Sequence, residues 1–380
     1  MEISLAVALC LILAAIISYE LKVSTAVLEV MAGMFLGLFM TDLHEVHWLS
    51  YLSSIGVLAL MFVAGFEIRI SALKQTWAPS LAIGISSFAV PFTGIFAFCY
   101  LVMGFEALPA TLVGVGLSTT SLALVYHLMK EHALLATREG QVLFGAASIV
   151  DIISMVLLAV VLGEIGAGTL AFSVIFVISL FIIPYSAKWL FSRYSNVMSE
   201  PELRFLMVII VGMSFMAEEI GSLHPALIAF TLGVFMSRFI ERNKVVKHKL
   251  MALVFSFFAP IFFFHSGSMI NLSDLNLNYL MIFVALFFLA TLLKFVGTYF
   301  PARRFVKPLA AYSGKVFNFR LSFGIISATV GLEKGLIDPA MFSVIMLVVI
   351  SSAAIPSIFL RKRGTDTAEL EPVAFDGDYD

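Results

Sequence analysis

One aspartate stands in the middle of a long apolar segment, and its side chain is the first candidate for chemistry. The segment GQVLFGAASIVDIISMVLLAVVLG begins at residue 140, and Asp151 is its one charged residue. An ionisable residue at the centre of a bilayer costs roughly 3 kcal/mol or more, so it predicts a functional site. A carboxylate binds either a proton or a small hard cation on the same oxygens. Asp151 is therefore predicted to bind either a proton or a cation, Na+ or K+, in competition. If the site moves across the membrane only when one of them is bound, the cation is exchanged for the proton.

A cluster of hydroxyl side chains interrupts a second apolar segment and offers further oxygen ligands. The sequence GVGLSTTSLALV places Ser118, Thr119, Thr120 and Ser121 together near its middle. Unwound backbone is tolerated at membrane depth only where protein or a water-filled cavity satisfies it. We predict that the helix breaks here and that the hydroxyls and freed carbonyls complete the cation site. The alternative is an ordinary helix whose hydroxyls bond its own carbonyls.

Two basic residues and one histidine are further candidates within apolar segments. Lys294 lies in FFLATLLKFVGTYF, and Arg320 lies in NFRLSFGIISATVG. We predict that both balance the charge of the site, with binding of helix ends as the alternative. His265 is a candidate pH sensor because imidazole changes its charge near physiological pH. The alternative for His265 is a hydrogen-bonded packing residue.

The composition identifies the elements that position these residues. Of the 380 residues, 61% are hydrophobic and 13% are charged, whereas a soluble domain has about 45–50% and about 25%. The chain is therefore predicted to be an all-α polytopic membrane protein. Segments long enough to cross a bilayer predict thirteen transmembrane helices, at about 3–19, 24–40, 49–66, 78–103, 108–129, 138–163, 169–193, 203–220, 222–240, 248–269, 277–300, 313–333 and 338–360.

The loop charges predict the orientation of the chain. Basic residues fall in alternate connections and after the last helix, whereas the other connections are acidic with Lys334 as their only base. Under the positive-inside rule the C-terminus is cytoplasmic and the N-terminus is outside. The membrane domain is predicted to cover residues 1–363. Residues 364–380 are polar and acidic, which predicts a disordered cytoplasmic tail.

Two pairs of similar segments predict an internal repeat. LEVMAGMFLG resembles IAFTLGVFMS, with Gly33 opposite Gly233, and MFVAGFEIRISAL resembles FFHSGSMINLSDL, with Gly65 opposite Gly267. Equivalent segments are seven helices apart. Because seven is an odd number, the second copy crosses the membrane in the opposite direction, which makes the repeat inverted. The segments that carry the hydroxyl cluster and Arg320 are interrupted at corresponding places, as in secondary transporters with a site near mid-membrane. Chance recurrence of small-residue helix packing is the alternative.

Taken together, the motifs resemble those of the monovalent cation:proton antiporter-2 family. This family includes bacterial Na+/H+ antiporters and the membrane domains of glutathione-gated K+ efflux antiporters. VLEVMAGMFLG is similar to its early Glu-x-x-x-Gly helix, and LMFVAGFEIRISALK to its Ala-Gly-x-Glu signature. LSTTSLALVYHLMKE followed by VLFGAASIVDIIS is similar to its broken helix and acidic helix. The similarity covers nearly everything from residue 20 to residue 360.

The resemblance implies a Na+/H+ antiporter-like fold with two crossed discontinuous helices and elevator-type alternating access. Asp151 matches the cation- and proton-binding acid, Lys294 matches a basic residue of the core, and Ser118 to Ser121 match the first break. The family pattern also implies a homodimer. The implied core covers about 78–163 and 277–360, and the implied dimerisation scaffold covers about 1–66 and 169–269.

Val150 stands before the aspartate where electrogenic members of the family carry a second acid, which implies electroneutral exchange. The expected function is therefore a secondary active transporter of the cell membrane that exchanges Na+ or K+ for H+. It is not expected to be an enzyme, to need a cofactor or to bind nucleic acid. A degenerate transporter that serves as a sensor or partner subunit is the second hypothesis, since Ser322 also stands where an acid is common. A K+ efflux pathway is the third.

Overall fold

The structure is a computed structural model, and the residues it describes form helices. It describes residues 2–21, 23–40, 43, 46–68, 76–132, 134, 137–163, 167–194, 199–221, 223–272 and 275–360. The all-α class predicted from composition is confirmed. The predicted acidic tail at 364–380 lies outside the described residues.

Each of the thirteen predicted segments contains described helix. The helices, in chain order, are α1 (Glu2–Leu21), α2 (Thr25–Phe39), α3 (His47–Phe66), α4 (Trp77–Ala97), α5 (Ala107–Ser118), α6 (Leu122–Glu131), α7 (Arg138–Leu162), α8 (Ala167–Tyr194), α9 (Pro201–Glu219), α10 (Pro225–Arg242), α11 (Lys244–Leu253), α12 (Ala259–Ser268), α13 (Leu277–Phe305), α14 (Ala310–Val316), α15 (Ser322–Glu333) and α16 (Pro339–Leu360). Seven helices in the described ranges are long and apolar enough to cross a membrane, and shorter apolar helices accompany them.

Local sequence signals set several helix starts. Pro225 occupies the first turn of α10. An N–H group at this position has no partner within the helix, so proline loses no hydrogen bond there. Asn276 caps α13 by accepting a hydrogen bond from Tyr279 N over 3.1 Å. Asp338 caps α16 in the same way, with Oδ1 2.6 Å from Met341 N. Such caps satisfy backbone donors that the first helical turn leaves free.

Contacts within the chain define two compact units, which are described separately. Unit 1 contains Met1–Ile12, Glu29–Arg69 and Ala159–Met269, and unit 2 contains Leu13–Leu28, Ile70–Leu158 and Ile270–Asp380.

In unit 1, helices α3 and α10 cross at two glycines. A β-carbon on Gly65 would lie 2.1 Å from Phe230 O, and one on Gly233 would lie 2.1 Å from Phe62 O. Both distances are far below any real contact of a β-carbon. The two helices therefore approach this closely only because each presents a glycine to the backbone of the other.

The part of α2 from residue 29 onward and helix α12, both in unit 1, cross in the same reciprocal way. A β-carbon on Gly33 would lie 1.9 Å from Phe264 O, and one on Gly267 would lie 2.0 Å from Val30 O. In both crossings, the contacted carbonyl belongs to the residue three positions before the partner glycine. In the predicted internal repeat, Gly33 aligns with Gly233 and Gly65 aligns with Gly267. The crossing of Gly33 with Gly267 therefore corresponds to the crossing of Gly233 with Gly65.

In unit 2, small residues bring the helices around both broken segments together. A β-carbon on Gly297 of α13 would lie 2.7 Å from Ser86 O of α4. Gly116 of α5 faces Ser327 of α15, and Ser327 Oγ donates a hydrogen bond to Leu112 O over 3.0 Å. These contacts hold α5 against α15 and α4 against α13.

Candidate functional site

The two segments with predicted interruptions are each divided, and their breaks bond to each other. Helix α5 ends before residues 119–121, and α14 ends before residues 317–321. Ser121 N donates to Phe319 O over 2.6 Å, and Thr120 Oγ1 donates to Phe317 O over 3.2 Å. The bonds satisfy backbone groups that would otherwise be unpaired in an apolar medium.

The Thr120 hydroxyl gives a testable prediction about this junction. Valine has nearly the same shape, so Thr120→Val removes one hydrogen bond and leaves Phe317 O without its partner. We expect a loss of about 1–2 kcal/mol in the free energy of unfolding, measured as a lower thermal unfolding midpoint in detergent. The matched control is Thr111→Val, because that hydroxyl bonds Ala107 O within α5. Equal effects of the two substitutions would contradict the assigned role of Thr120.

Lys294 binds the end of the first broken half-helix. Its Nζ donates to Ser118 O over 2.6 Å, and Ser118 is the last residue of α5. The C-terminal end of a helix carries partial negative charge, which favours a cation there. Lys294 is fully buried and interacts electrostatically with Arg320 and Asp151. Lys294 therefore binds the end of a helix, which is the alternative that the sequence suggested for this residue.

Asp151 lies on the buried side of α7 and is 1% exposed. The preceding residue, Val150, packs with Phe88 of α4 and Val115 of α5. Since Val115 lies one helical turn before Ser118, this contact holds α7 beside the first break. The structure thus brings Asp151, Lys294 and the first break together in unit 2.

Arg320 lies in the second break, and its side chain is fully buried. Its Nη2 donates to Ala290 O over 2.7 Å and to Asn318 Oδ1 over 2.9 Å. Asn318 Nδ2 in turn donates to Gly314 O over 2.8 Å, near the end of α14. Asn318 therefore connects Arg320 to the end of the second half-helix, a role that sequence reasoning missed. The signal available was a lone amide in an apolar, interrupted segment.

The four hydroxyl residues of the first break are all buried, but they are not equivalent. The hydroxyls of Thr119 and Thr120 donate to backbone carbonyls, Thr119 to Gly116 O over 3.0 Å. Ser118 Oγ has no hydrogen-bond partner among the described residues. Thr119 and Thr120 use their hydroxyl protons in these bonds, whereas the lone pairs of all three oxygens accept no hydrogen bond from the part of the chain that the structure describes.

His265, the candidate pH sensor, does not lie in the same unit as the other candidates. It is in the last turn of α12 in unit 1 and is 8% exposed. Its carbonyl accepts a hydrogen bond from Ser268 Oγ over 2.7 Å. Unit 1 also holds Glu29, a buried acid in α2 that sequence reasoning treated only as part of a motif.

The candidate site has one carboxylate with neutral oxygens rather than a cluster of strong metal ligands. In the part of the chain that the structure describes, no group of three or more His, Cys, Asp or Glu side chains is arranged to hold a metal. Such a donor set suits a weakly held monovalent cation better than a transition metal.

Apolar helices, paired broken segments and a buried carboxylate are features expected of a membrane transporter. The family model described as "Sodium/hydrogen exchanger, transmembrane" matches residues 5–361. The chain belongs to the sodium/hydrogen exchanger family. This confirms the predicted relationship to monovalent cation:proton antiporters and the multi-pass membrane class.

Two relatives agree with this family, and one solved structure has a similar fold. The probable Na+/H+ antiporter 3 of Methanocaldococcus jannaschii is 28% identical over 87% of this chain and 88% of its own. The Na+/H+-K+ antiporter GerN of Bacillus cereus is 28% identical over 82% of each chain. The structure of the sodium proton antiporter MjNhaP1 from M. jannaschii at pH 8 has a TM-score of 0.67 at 17% identity, over 95% of this chain and 97% of that one. This likeness shows a shared fold.

Proposed function

We propose that the protein is a secondary active antiporter that exchanges Na+ or K+ for H+, with Asp151 binding the cation and the proton in competition. The observation that carries the proposal is the position of Asp151. Among the described residues of unit 2, it is the one acidic side chain that is buried. The relatives named as Na+/H+ and Na+/H+-K+ antiporters support the choice of ions.

The cation in this proposal is held by oxygens of the first break together with Asp151. Ser118 Oγ supplies a neutral ligand, and freed carbonyls beside it supply others. Lys294 holds the end of α5 through Ser118 O and interacts with the carboxylate. A proton on Asp151 removes the negative charge that attracts the cation, so the two ligands exclude each other.

The proposed exchange is electroneutral. Val150 is packed in an apolar cluster and has neither a titrating group nor a ligand atom. A single carboxylate that takes one proton or one monovalent cation carries the same charge in both loaded states. One cation is then exchanged for one proton.

The proposed topology and movement follow the family resemblance. We propose thirteen membrane crossings in the cell membrane, with the N-terminus outside and the C-terminus in the cytoplasm. The protein is proposed to form a homodimer and to work by elevator-type alternating access. The moving core would cover about 78–163 and 277–360, and the scaffold would cover about 1–66 and 169–269.

Electroneutral exchange predicts a rate that does not depend on membrane potential. Purified protein is reconstituted in liposomes, and proton movement driven by a Na+ or K+ gradient is followed with an internal pH dye. We expect the same initial rate at zero and at a clamped negative potential. A rate that changes with potential would contradict one-for-one exchange.

The same liposomes separate antiport from the two alternatives. Saturable cation binding without any flux would instead identify a sensor or partner subunit. A K+ current without coupled proton movement would identify an efflux pathway. Either result would overturn the proposed antiport.

A further inference from the structure

The buried side chain of Asn318 makes a hydrogen bond from each atom of its amide group. Nδ2 donates to Gly314 O over 2.8 Å, and Oδ1 accepts from Arg320 Nη2 over 2.9 Å. Nη2 carries two hydrogens, and it also donates to Ala290 O over 2.7 Å. Nε and Nη1 of Arg320 have no hydrogen-bond partner among the described residues. Asn318 is therefore one of two acceptors there that fix the orientation of the guanidinium.

The other acceptor, Ala290 O, belongs to the helical turn that carries Lys294. Both residues lie within α13, and in an α-helix the carbonyl of one residue faces the N–H of the residue four positions later. Arg320 thus attaches the second break to this turn. Beyond the turn, Thr298 Oγ1 lies 2.8 Å from Lys294 O and 2.9 Å from Ser87 Oγ of α4. The backbone of Lys294 is therefore held on both sides.

The hydrogen bonds of Asn318 complete a closed ring between the two breaks. The carbonyls of the residues immediately before and after Asn318 accept hydrogen bonds from the first break. The Asn318 side chain leads through Arg320 to the turn that carries Lys294. Lys294 Nζ then returns to the first break, where it donates to Ser118 O over 2.6 Å. The ring fixes the position of Ser118 relative to both breaks.

We propose that Asn318 is a positioning residue for the cation site. It orients Arg320, Arg320 holds the turn that carries Lys294, and Lys294 holds Ser118, whose hydroxyl is a proposed cation ligand. The inference rests on the proposed antiport and adds to it a residue that does not touch the ion. Because Asn318 acts on the arrangement of the ligands, it sets the affinity for the cation rather than the maximal rate of exchange.

The alternative is that Asn318 only satisfies a carbonyl at the end of α14. Asn243 in unit 1 gives a matched comparison, because its Nδ2 donates to Phe239 O over 2.7 Å, also four residues back at the end of a helix. Among the residues that the structure describes, no arginine donates to the Asn243 side chain. Replacing either asparagine with alanine removes the same local bond, and at Asn318 it also releases Arg320.

The test is the cation dependence of exchange by the full-length protein in liposomes. We expect Asn318→Ala to raise the half-saturating Na+ or K+ concentration about tenfold or more, as the loss of a partner that orients a ligand does at metal sites. The maximal rate should change little, and Asn243→Ala should keep the wild-type half-saturating concentration. Asn318→Asp keeps an oxygen acceptor for Arg320 and loses the donor to Gly314 O, so its half-saturating concentration should return towards the wild-type value.

The same measurements contain the results that would overturn the inference. These are a wild-type half-saturating concentration in folded Asn318→Ala, an equal increase in Asn243→Ala, or an increase in Asn318→Asp as large as that in Asn318→Ala. If Asn318→Ala does not fold, Asn318→Ser replaces it, because the serine oxygen is too short to reach Arg320. A wild type without cation-driven exchange overturns the proposed function itself, and the inference with it.

Discussion

Replacing Asp151 with asparagine is expected to reduce cation-driven proton movement to the level of protein-free liposomes. Asparagine has nearly the same shape but neither takes up a proton nor carries a charge. The substitution also removes the negative charge that interacts with buried Lys294. Loss of this interaction leaves the Lys294 side chain buried without the nearby carboxylate, so the variant should also unfold at a lower temperature.

A second measurement on Asp151→Asn separates lost binding from lost stability. In a weakly buffered detergent solution below the unfolding temperature, added Na+ or K+ should displace protons from the wild type. The folded variant should release none. Glu219→Gln is the control, since Glu219 is an exposed acid at the end of α9, and we expect unchanged exchange. Full exchange by Asp151→Asn would remove the basis of the proposed mechanism.

Replacing Gly233 with alanine is expected to lower the stability of the protein strongly, although the substitution adds only one methyl group. The new β-carbon would lie 2.1 Å from Phe62 O, a backbone atom that cannot rotate away. Helices α3 and α10 must therefore separate, and the reciprocal contact of Gly65 is lost with them. Overpacking of this kind costs roughly 1–3 kcal/mol, and more where backbone must move, so we expect at least about 2 kcal/mol.

The control for this prediction is another helical glycine. Gly212 in α9 has no heavy atom within 4 Å of an added β-carbon. Gly212→Ala is therefore expected to be neutral or stabilising by about 0.5–1 kcal/mol, because alanine favours helix. Thermal unfolding in detergent compares both variants with the wild type. Equal midpoints for Gly233→Ala and Gly212→Ala would show that the crossing tolerates separation.

The sequence predicted features that depend on composition and local pattern. The apolar composition predicted the all-helical membrane class, and glycines and hydroxyls predicted the break around Thr119. Asp151 attracted attention because a lone acid in an apolar segment is unfavourable without a role. These inferences need no knowledge of which helices are neighbours.

Contacts between distant segments were beyond that reasoning. The hydrogen bond from Lys294 to Ser118 O joins residues 176 positions apart, and that from Thr120 to Phe317 O joins residues 197 positions apart. Sequence spacing does not reveal which carbonyl a long side chain reaches after the helices pack. For the same reason, it did not separate Ser118, whose hydroxyl has no hydrogen-bond partner among the described residues, from Thr119 and Thr120, whose hydroxyls donate to backbone carbonyls.

The hydrogen bonds between the two breaks have a consequence for ion passage. Ser121 N and Thr120 Oγ1 join the first break to carbonyls of the second, so a shift of one break breaks these bonds unless the other break moves with it. In the proposed antiport mechanism, the ligands from the two breaks would therefore move as one unit during alternating access. We expect the ion selectivity measured from the two sides of the membrane to be the same.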